Sequence, residues 1–165
     1  MAQHVIWVFD TSSIIEIRRS IENTRKQGVF NSMSTLVVAG RLVFPIEVVK
    51  ELERFADPKL PDAQYLWAKE HEEMAKAQSP SFEEVKDILS IVPDVLDPDR
   101  DSGEEEADPY VLAVARRLRS GGGDGRVVTQ ETKDTPRKIS MNSACGLLGM
   151  PSVPLTIFLR FEGIL

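Results

Sequence analysis

Apolar residues along the chain come in two patterns, short continuous runs and helical stripes, and the two alternate. The first run, "VIWVF" (Val5–Phe9), contains no polar residue and is rich in β-branched and aromatic side chains. That pattern predicts a strand buried on both faces. "RLVFP" around residue 42 and "RVVTQ" around residue 127 have the same character, and a shorter strand is expected at "KISM" (138–141).

Between these runs the spacing turns helical. Thr11, Ser12 and Ser13 offer N-cap hydroxyls for a helix towards Ser20. A second helix is expected from about Phe30 to Ala39, ended by Gly40. Pro45 opens a third through about Phe55, with Val48, Leu52 and Phe55 as its apolar stripe. A Pro-containing loop then leads into an amphipathic helix anchored by Leu66, Trp67 and Met74. Ser81 starts another, with Glu84 in the capping-box position and a short strand or helix at its end. "DPDRDSGEEEADP" reads as a polar loop, "YVLAVARRLRS" as a helix stopped by "GGGDG", and helices are expected near "SACGLLG" and "PLTIFLRF".

Strands separated by helices predict an α/β fold, a three-layer α/β/α arrangement with a central, mainly parallel sheet. The 165 residues are enough for a single domain, 1–165, with its own core. In such sheets ligands bind at the carboxyl ends of the strands. The first strand ends in an acid, Asp10, which therefore stands where a site is expected.

Composition narrows the class. No apolar run approaches the roughly 20 residues that span a membrane. The start of the chain lacks a basic and then apolar leader, so no secretory signal is expected. The single Cys145 excludes an internal disulfide and a multi-cysteine zinc site, and a cytoplasmic location is expected. A net charge of −6 argues against a general nucleic-acid coat protein. Acids dominate from Glu83 to Asp108, and Arg and Lys are frequent from Arg116 to Lys138. This asymmetry fits an acidic metal-binding cleft beside a basic rim, or simply two solvated faces of opposite charge.

Other acids join Asp10 as candidates. Glu131 lies just beyond "RVVTQ"; Asp108 begins the helix "PYVLAVARRL", with Glu105 three residues earlier; Glu51 lies beside the stripe of its helix, with Glu47 one turn before it. Each has a structural reading as well. Asp10 and Asp108 can cap helices, Glu51 can pair with Lys50 or Arg54, and Glu131 and Asp134 can be loop acids. Acids brought together repel unless a cation joins them, and oxygen donors without His or Cys favour Mg²⁺ or Mn²⁺.

"VFDTSSIIE", "PIEVVKEL", "EEADPYVLAVA" and "VVTQE" resemble, in order and spacing, the motifs of PIN-domain nucleases, and most closely the small prokaryotic forms that include VapC-type toxins. The resemblance covers nearly the whole chain. It places the family's four acidic positions on Asp10, Glu51, Asp108 and Glu131, and the supporting hydroxyl on Ser12. The fourth acid departs from the common pattern, being Glu where many members carry Asp, and the region Ile21 to Gly40, helical in pattern and followed by "RLVFP", resembles a less studied prokaryotic PIN-like subgroup rather than a typical toxin. What the resemblance implies is a metal-dependent endoribonuclease. Mg²⁺ or Mn²⁺ would be held mainly by Asp10, Asp108 and Glu131, with Glu51 holding a second ion or orienting water. It also implies RNA as the substrate, a toxin's role in a type II toxin–antitoxin pair with a protein antitoxin, and a homodimer. Arg116, Arg117, Arg119, Arg126, Arg137 and Lys138 are candidate phosphate contacts.

Two alternatives stand beside this reading. One is a degenerate PIN domain that binds RNA or protein without cutting. The other is an aspartyl-phosphate enzyme, ranked last because "DTSS" lacks a second aspartate and no acidic pair precedes the first strand. Several features are set aside. "GGGDG" lacks a P-loop's GK[ST] ending, "HEEM" at His71 lacks a second His and reads as a surface residue, and Ser143 and Cys145 have no histidine partner. Trp7 and Trp67 read as core.

Overall fold

The computed structural model describes residues 4–59, 62–98 and 106–165. Strand β1 (Val5–Phe9) lies inside a four-stranded sheet with β2 (Leu42–Val43), β3 (Asp124–Val128) and β4 (Ser152–Val153), in the order β2-β1-β3-β4. All three pairings are parallel. Along the β1–β3 ladder Val5 sits opposite Asp124 and Phe9 opposite Val128, so the two strands end level. Trp7, Val8 and Phe9 are fully buried, as a central strand covered on both faces requires.

Nine helices among the described residues complete the three-layer α/β/α arrangement. They are α1 (Thr11–Ser20), α2 (Asn23–Val38), α3 (Ile46–Phe55), α4 (Ala63–Glu70), α5 (Glu72–Gln78), α6 (Phe82–Ile91), α7 (Asp108–Ser120), α8 (Met141–Leu147) and α9 (Leu155–Phe161). On one face of β1, Trp7 and Phe9 meet the Phe158 ring of α9 edge-on, at 5.3 and 4.8 Å between centroids. On the other face α7 comes very close to β3. A Cβ at Gly125 would lie 3.1 Å from Leu118 Cβ and 3.3 Å from the Ala115 carbonyl, so a larger residue would push the helix away. After α7, Gly122 takes φ +88°, a left-handed turn that suits glycine, and the chain folds directly into β3. The stretch "GGGDG" is thus a helix stop whose last two residues start a strand.

The structure corrects several expectations. No strand forms at 138–141. Ser140 instead caps α8 through its bond from the Ser143 amide, and the fourth strand is Ser152–Val153. Helix α2 begins at Asn23, seven residues earlier than expected, because its first two turns are mostly exposed and carry no apolar stripe. The helix through Trp67 is two helices meeting at His71. His71 is half-buried rather than solvated: its Nε2 lies 2.9 Å from Ser34 Oγ, its ring packs edge-on to Trp67, and burial lowers its pKa. Leu66 is exposed, while Trp67 holds the core position beside Phe30 and Phe44. The capping box at Ser81 and Glu84 forms as expected, and α6 runs on into a 3-10 turn at Pro93–Val95.

The strand order fixes the position of the site. From β1 the chain crosses to β2 on one side, and from β3 to β4 on the other. The carboxyl ends of β1 and β3 therefore form the switch point, where departing connections leave a crevice. The backbone pairing continues past β1, with the Asp10 amide donating to the Val128 carbonyl at 3.2 Å.

Candidate metal centre

Asp10 follows the last residue of β1 and is 1 % exposed. Its Oδ1 accepts from Ser12 Oγ at 2.7 Å and from the Ser13 amide at 3.1 Å, and its Oδ2 accepts from Thr129 Oγ1 at 2.5 Å. The acid therefore does two jobs: it caps α1 and it presents a carboxylate at the switch point. The hydroxyl of Ser12 is shared similarly, donating to Asp10 and accepting from the Gln130 amide at 3.0 Å. Thr129 Oγ1 in turn accepts from the Glu131 amide at 3.1 Å. These bonds set the tip of β1 and the loop after β3 in one fixed arrangement.

Asp108 arrives from the other side. Ala107 caps α7 and Asp108 is its first residue, so the expected side-chain cap is not made. The Asp108 carboxylate instead accepts from Lys138 Nζ at 2.8 Å, and the same ammonium lies 3.1 Å from Glu131 Oε1. One carboxylate oxygen each from Asp10, Asp108 and Glu131 falls within 4.8 Å of the others.

Glu51 lies in the same cavity but is held differently. It is buried, its Oε2 accepts from the Ala107 amide at 2.8 Å, and Arg54 stands 3.8 Å away. Glu51 thus anchors the start of α7, and with it Asp108. Glu106, the residue before Ala107, also lines the cavity, and its carboxylate accepts from the Asp97 amide. The cavity measures about 220 Å³ and is completed by Thr11, Ser12, Ile15, Phe55 and Lys138. Phe55 is 54 % exposed, so it belongs to this rim and not to the core stripe of α3.

The other candidates are employed elsewhere. Glu47 accepts from Ser79 Oγ, whose oxygen in turn takes the Ile46 amide, tying α5 to the start of α3. Asp134 accepts from the Ser140 amide and Ser143 Oγ, which holds the start of α8. Glu105 lies outside the described residues. Among the arginines, Arg117 pairs with Glu84, and Arg119 and Arg126 pair with Asp124. Arg116 lines a separate depression with Arg117, Glu84 and Asp87. The basic segment therefore sends one side chain, Lys138, into the acidic cavity.

The electrostatics follow from this packing. Burial pushes the Asp10 carboxyl up from 3.8 to about 6, against the pull of its bonds from Thr129, Ser12 and the Ser13 amide, and the Glu131 charge adds to the rise. Asp108 is pushed up to about 7 by burial first and by Glu131 second. Burial opposes the charge of Lys138, but Asp108 and Glu131 hold its pKa well above the ordinary lysine value. The ion pair should favour charge on both partners, yet Asp108 still rises. Burial and a second nearby acid outweigh a single ammonium. Burial likewise pushes the nearby Cys145 thiol up to about 12, so it is no thiolate ligand.

The donor set fits a hard divalent cation: three carboxylates, no sulfur or imidazole, and a cavity with room for water beside the ligands. Fold and site together define an α/β/α protein with a three-carboxylate centre, able to hold a metal ion, at its switch point. The chain belongs to the family described as a domain of unknown function (DUF4411), which it matches over residues 7–164. No curated protein matches it. No helix among the described residues is long and apolar enough to cross a membrane.

Proposed function

We propose that this chain is a metal-dependent nuclease of the PIN-domain type that hydrolyses RNA phosphodiester bonds. The observation that carries the reading is the convergence of Asp10, Asp108 and Glu131, three acids from distant segments, within 4.8 Å at the carboxyl ends of two adjacent strands. Structural capping alone does not explain why two of them are buried at the cost of raised pKa values.

Asp10, Asp108 and Glu131 would hold Mg²⁺ or Mn²⁺. When bound, such an ion supplies a more acidic water and neutralises charge on the transferring phosphoryl group. Ser12 and Thr129 keep the Asp10 carboxylate oriented. Glu51 holds α7 through the Ala107 amide with one oxygen, and its other oxygen, which makes no hydrogen bond among the described residues, is available to water in the cavity. Phe55 and Ile15 give the cavity an apolar rim on which a base of a single strand can lie. RNA rather than DNA, a toxin's role beside a protein antitoxin and a homodimer rest on the resemblance to VapC-type proteins, and a cytoplasmic location rests on the single cysteine.

The test is cleavage of single-stranded RNA with Mg²⁺ or Mn²⁺, with and without chelator, for the wild type and for Asp10→Asn. Cleavage that requires the ion and disappears in the folded variant is expected. A fully active Asp10→Asn would remove this site from consideration. A non-catalytic binding module is the second reading, favoured by the pairing of Lys138 with two of the three acids. It predicts RNA or protein binding without ion-dependent cleavage.

A further inference from the structure

We propose that Lys138 is a resident cation of this centre, displaced from Asp108 and Glu131 when a divalent ion enters and then placed to meet the substrate phosphate. The inference rests on the nuclease reading and concerns a residue whose role that reading leaves open.

Lys138 Nζ lies 2.8 Å from Asp108 Oδ2 and 3.1 Å from Glu131 Oε1, so it spans two of the three acids. Asp10 is served differently, by two hydroxyls and one amide, all neutral. One positive charge thus faces three carboxylates, and it bridges only two of them. A divalent ion in reach of all three oxygens compensates their charge better, and it competes with the ammonium for two of the same ligands.

The anchoring of Lys138 permits such an exchange. Its backbone is fixed independently of its side chain: the Lys138 amide donates to Thr135 Oγ1 at 3.2 Å, and the Lys138 carbonyl accepts from the Thr135 amide at 2.9 Å. The four-carbon stem can therefore swing while its root stays in place. The side chain is 21 % exposed and lines the cavity, so a path to the cavity mouth exists. A nucleic-acid phosphate approaching five cavity-lining acids (Asp10, Glu51, Glu106, Asp108 and Glu131) meets repulsion, and among the described lining residues Lys138 is the cation that can offset it.

The experiment is a calorimetric titration of the full chain with Mn²⁺ at neutral pH, for the wild type, Lys138→Met and Lys138→Arg, each checked for folding by its thermal melt. Removing the competitor should tighten Mn²⁺ binding in Lys138→Met by about ten- to a hundredfold, whereas Lys138→Arg, which keeps the positive charge, should not show this gain. RNA cleavage by Lys138→Met at saturating Mn²⁺ should nevertheless fall. A purely structural lysine would not produce tighter binding. Unchanged or weaker binding in Lys138→Met overturns the displacement, and full cleavage activity in that variant overturns the phosphate contact. If neither the wild type nor Lys138→Met binds Mn²⁺, the metal-centre reading falls as well. Equal binding in the two removes only the role given to Lys138.

Discussion

Thr129 Oγ1 donates a 2.5 Å hydrogen bond to Asp10 Oδ2, joining the tips of strands β1 and β3 across the switch point of the sheet. Thr129 is buried, and the same oxygen accepts from the Glu131 amide. One hydroxyl thereby sets the position of two of the three clustered acids. Thr129→Val keeps the shape and removes both bonds. The variant should lose about 1–3 kcal/mol of stability, as expected when a buried acceptor, and with it a part-buried amide, is left without a partner. Mn²⁺ affinity should fall with it. Denaturant unfolding and calorimetry measure the two effects, and unaltered Mn²⁺ affinity would show that this bond does not position the acids.

Asp10→Asn should separate stability from function. Raising the folded pKa from 3.8 to about 6 costs on the order of 3 kcal/mol once the group is charged, at about 1.36 kcal/mol for each tenfold change in ionisation. Asparagine has nearly the same shape, can still accept from the Ser13 amide, and carries no charge. The metal-free variant should therefore melt at or above the wild-type temperature at pH 8 while losing Mn²⁺-induced stabilisation. A large drop in its melting temperature would contradict the assignment of Asp10 as a strained, site-bearing acid.

The pH dependence has a definite sign. Asp10 and Asp108 titrate at about 6 and about 7 when folded, against 3.8 for the ordinary aspartate. Between those values the folded chain holds more protons than the unfolded one, so stability falls as pH rises through the window and the loss is nearly complete above about pH 7. Lys138, raised, stays charged throughout this range. The lowered carboxyls Glu84, Asp124 and Asp134 act in the opposite sense at more acid pH, and His71, lowered by burial, opposes the decline below its ordinary value of 6.5 without matching two raised aspartates. Melts of the metal-free chain should therefore decline from about pH 5 to pH 8. The rise in melting temperature given by Mn²⁺ should be larger at pH 8 than at pH 5, and Asp10→Asn should flatten the slope.

Glu51 and Phe55, four residues apart on α3, should differ in their variants. Glu51→Gln keeps an acceptor for the Ala107 amide and should stay folded with reduced cleavage, whereas Glu51→Ala leaves that buried amide unpaired and should lose about 1–3 kcal/mol. Phe55→Ala removes an exposed ring, so stability should change by less than about 0.5 kcal/mol. If a base stacks there, KM for single-stranded RNA should rise more than kcat falls. Parallel kinetics and melts on the three variants check both statements.

The sheet and most helices were legible because their signals are local. "VIWVF" and "VVT" carry strand character in every residue, and Pro45, Gly40 and the Ser81–Glu84 pair mark helix ends chemically. The two-residue strand β4 was not, since Ser152 and Val153 are defined by pairing with β3 and have no pattern of their own. At the site, Asp10, Asp108 and Glu131 were found by their places at element ends. Thr129, Glu106 and the inward turn of Lys138 were missed. Lys138 lies in an irregular loop, where spacing gives no direction for a side chain, and only tertiary packing carries it between Asp108 and Glu131. Phe55 kept the period of its helix but fell past the last turn that the core covers.

The most direct measurement is the anomalous difference density of a crystal of this protein soaked in Mn²⁺. A peak coordinated by the carboxylates of Asp10, Asp108 and Glu131 is expected, with the Lys138 ammonium withdrawn from at least one of its two partners. A crystal whose Mn²⁺ binds elsewhere, or one in which these three acids remain without an ion while Lys138 still bridges Asp108 and Glu131 at saturating Mn²⁺, would contradict the metal-centre reading.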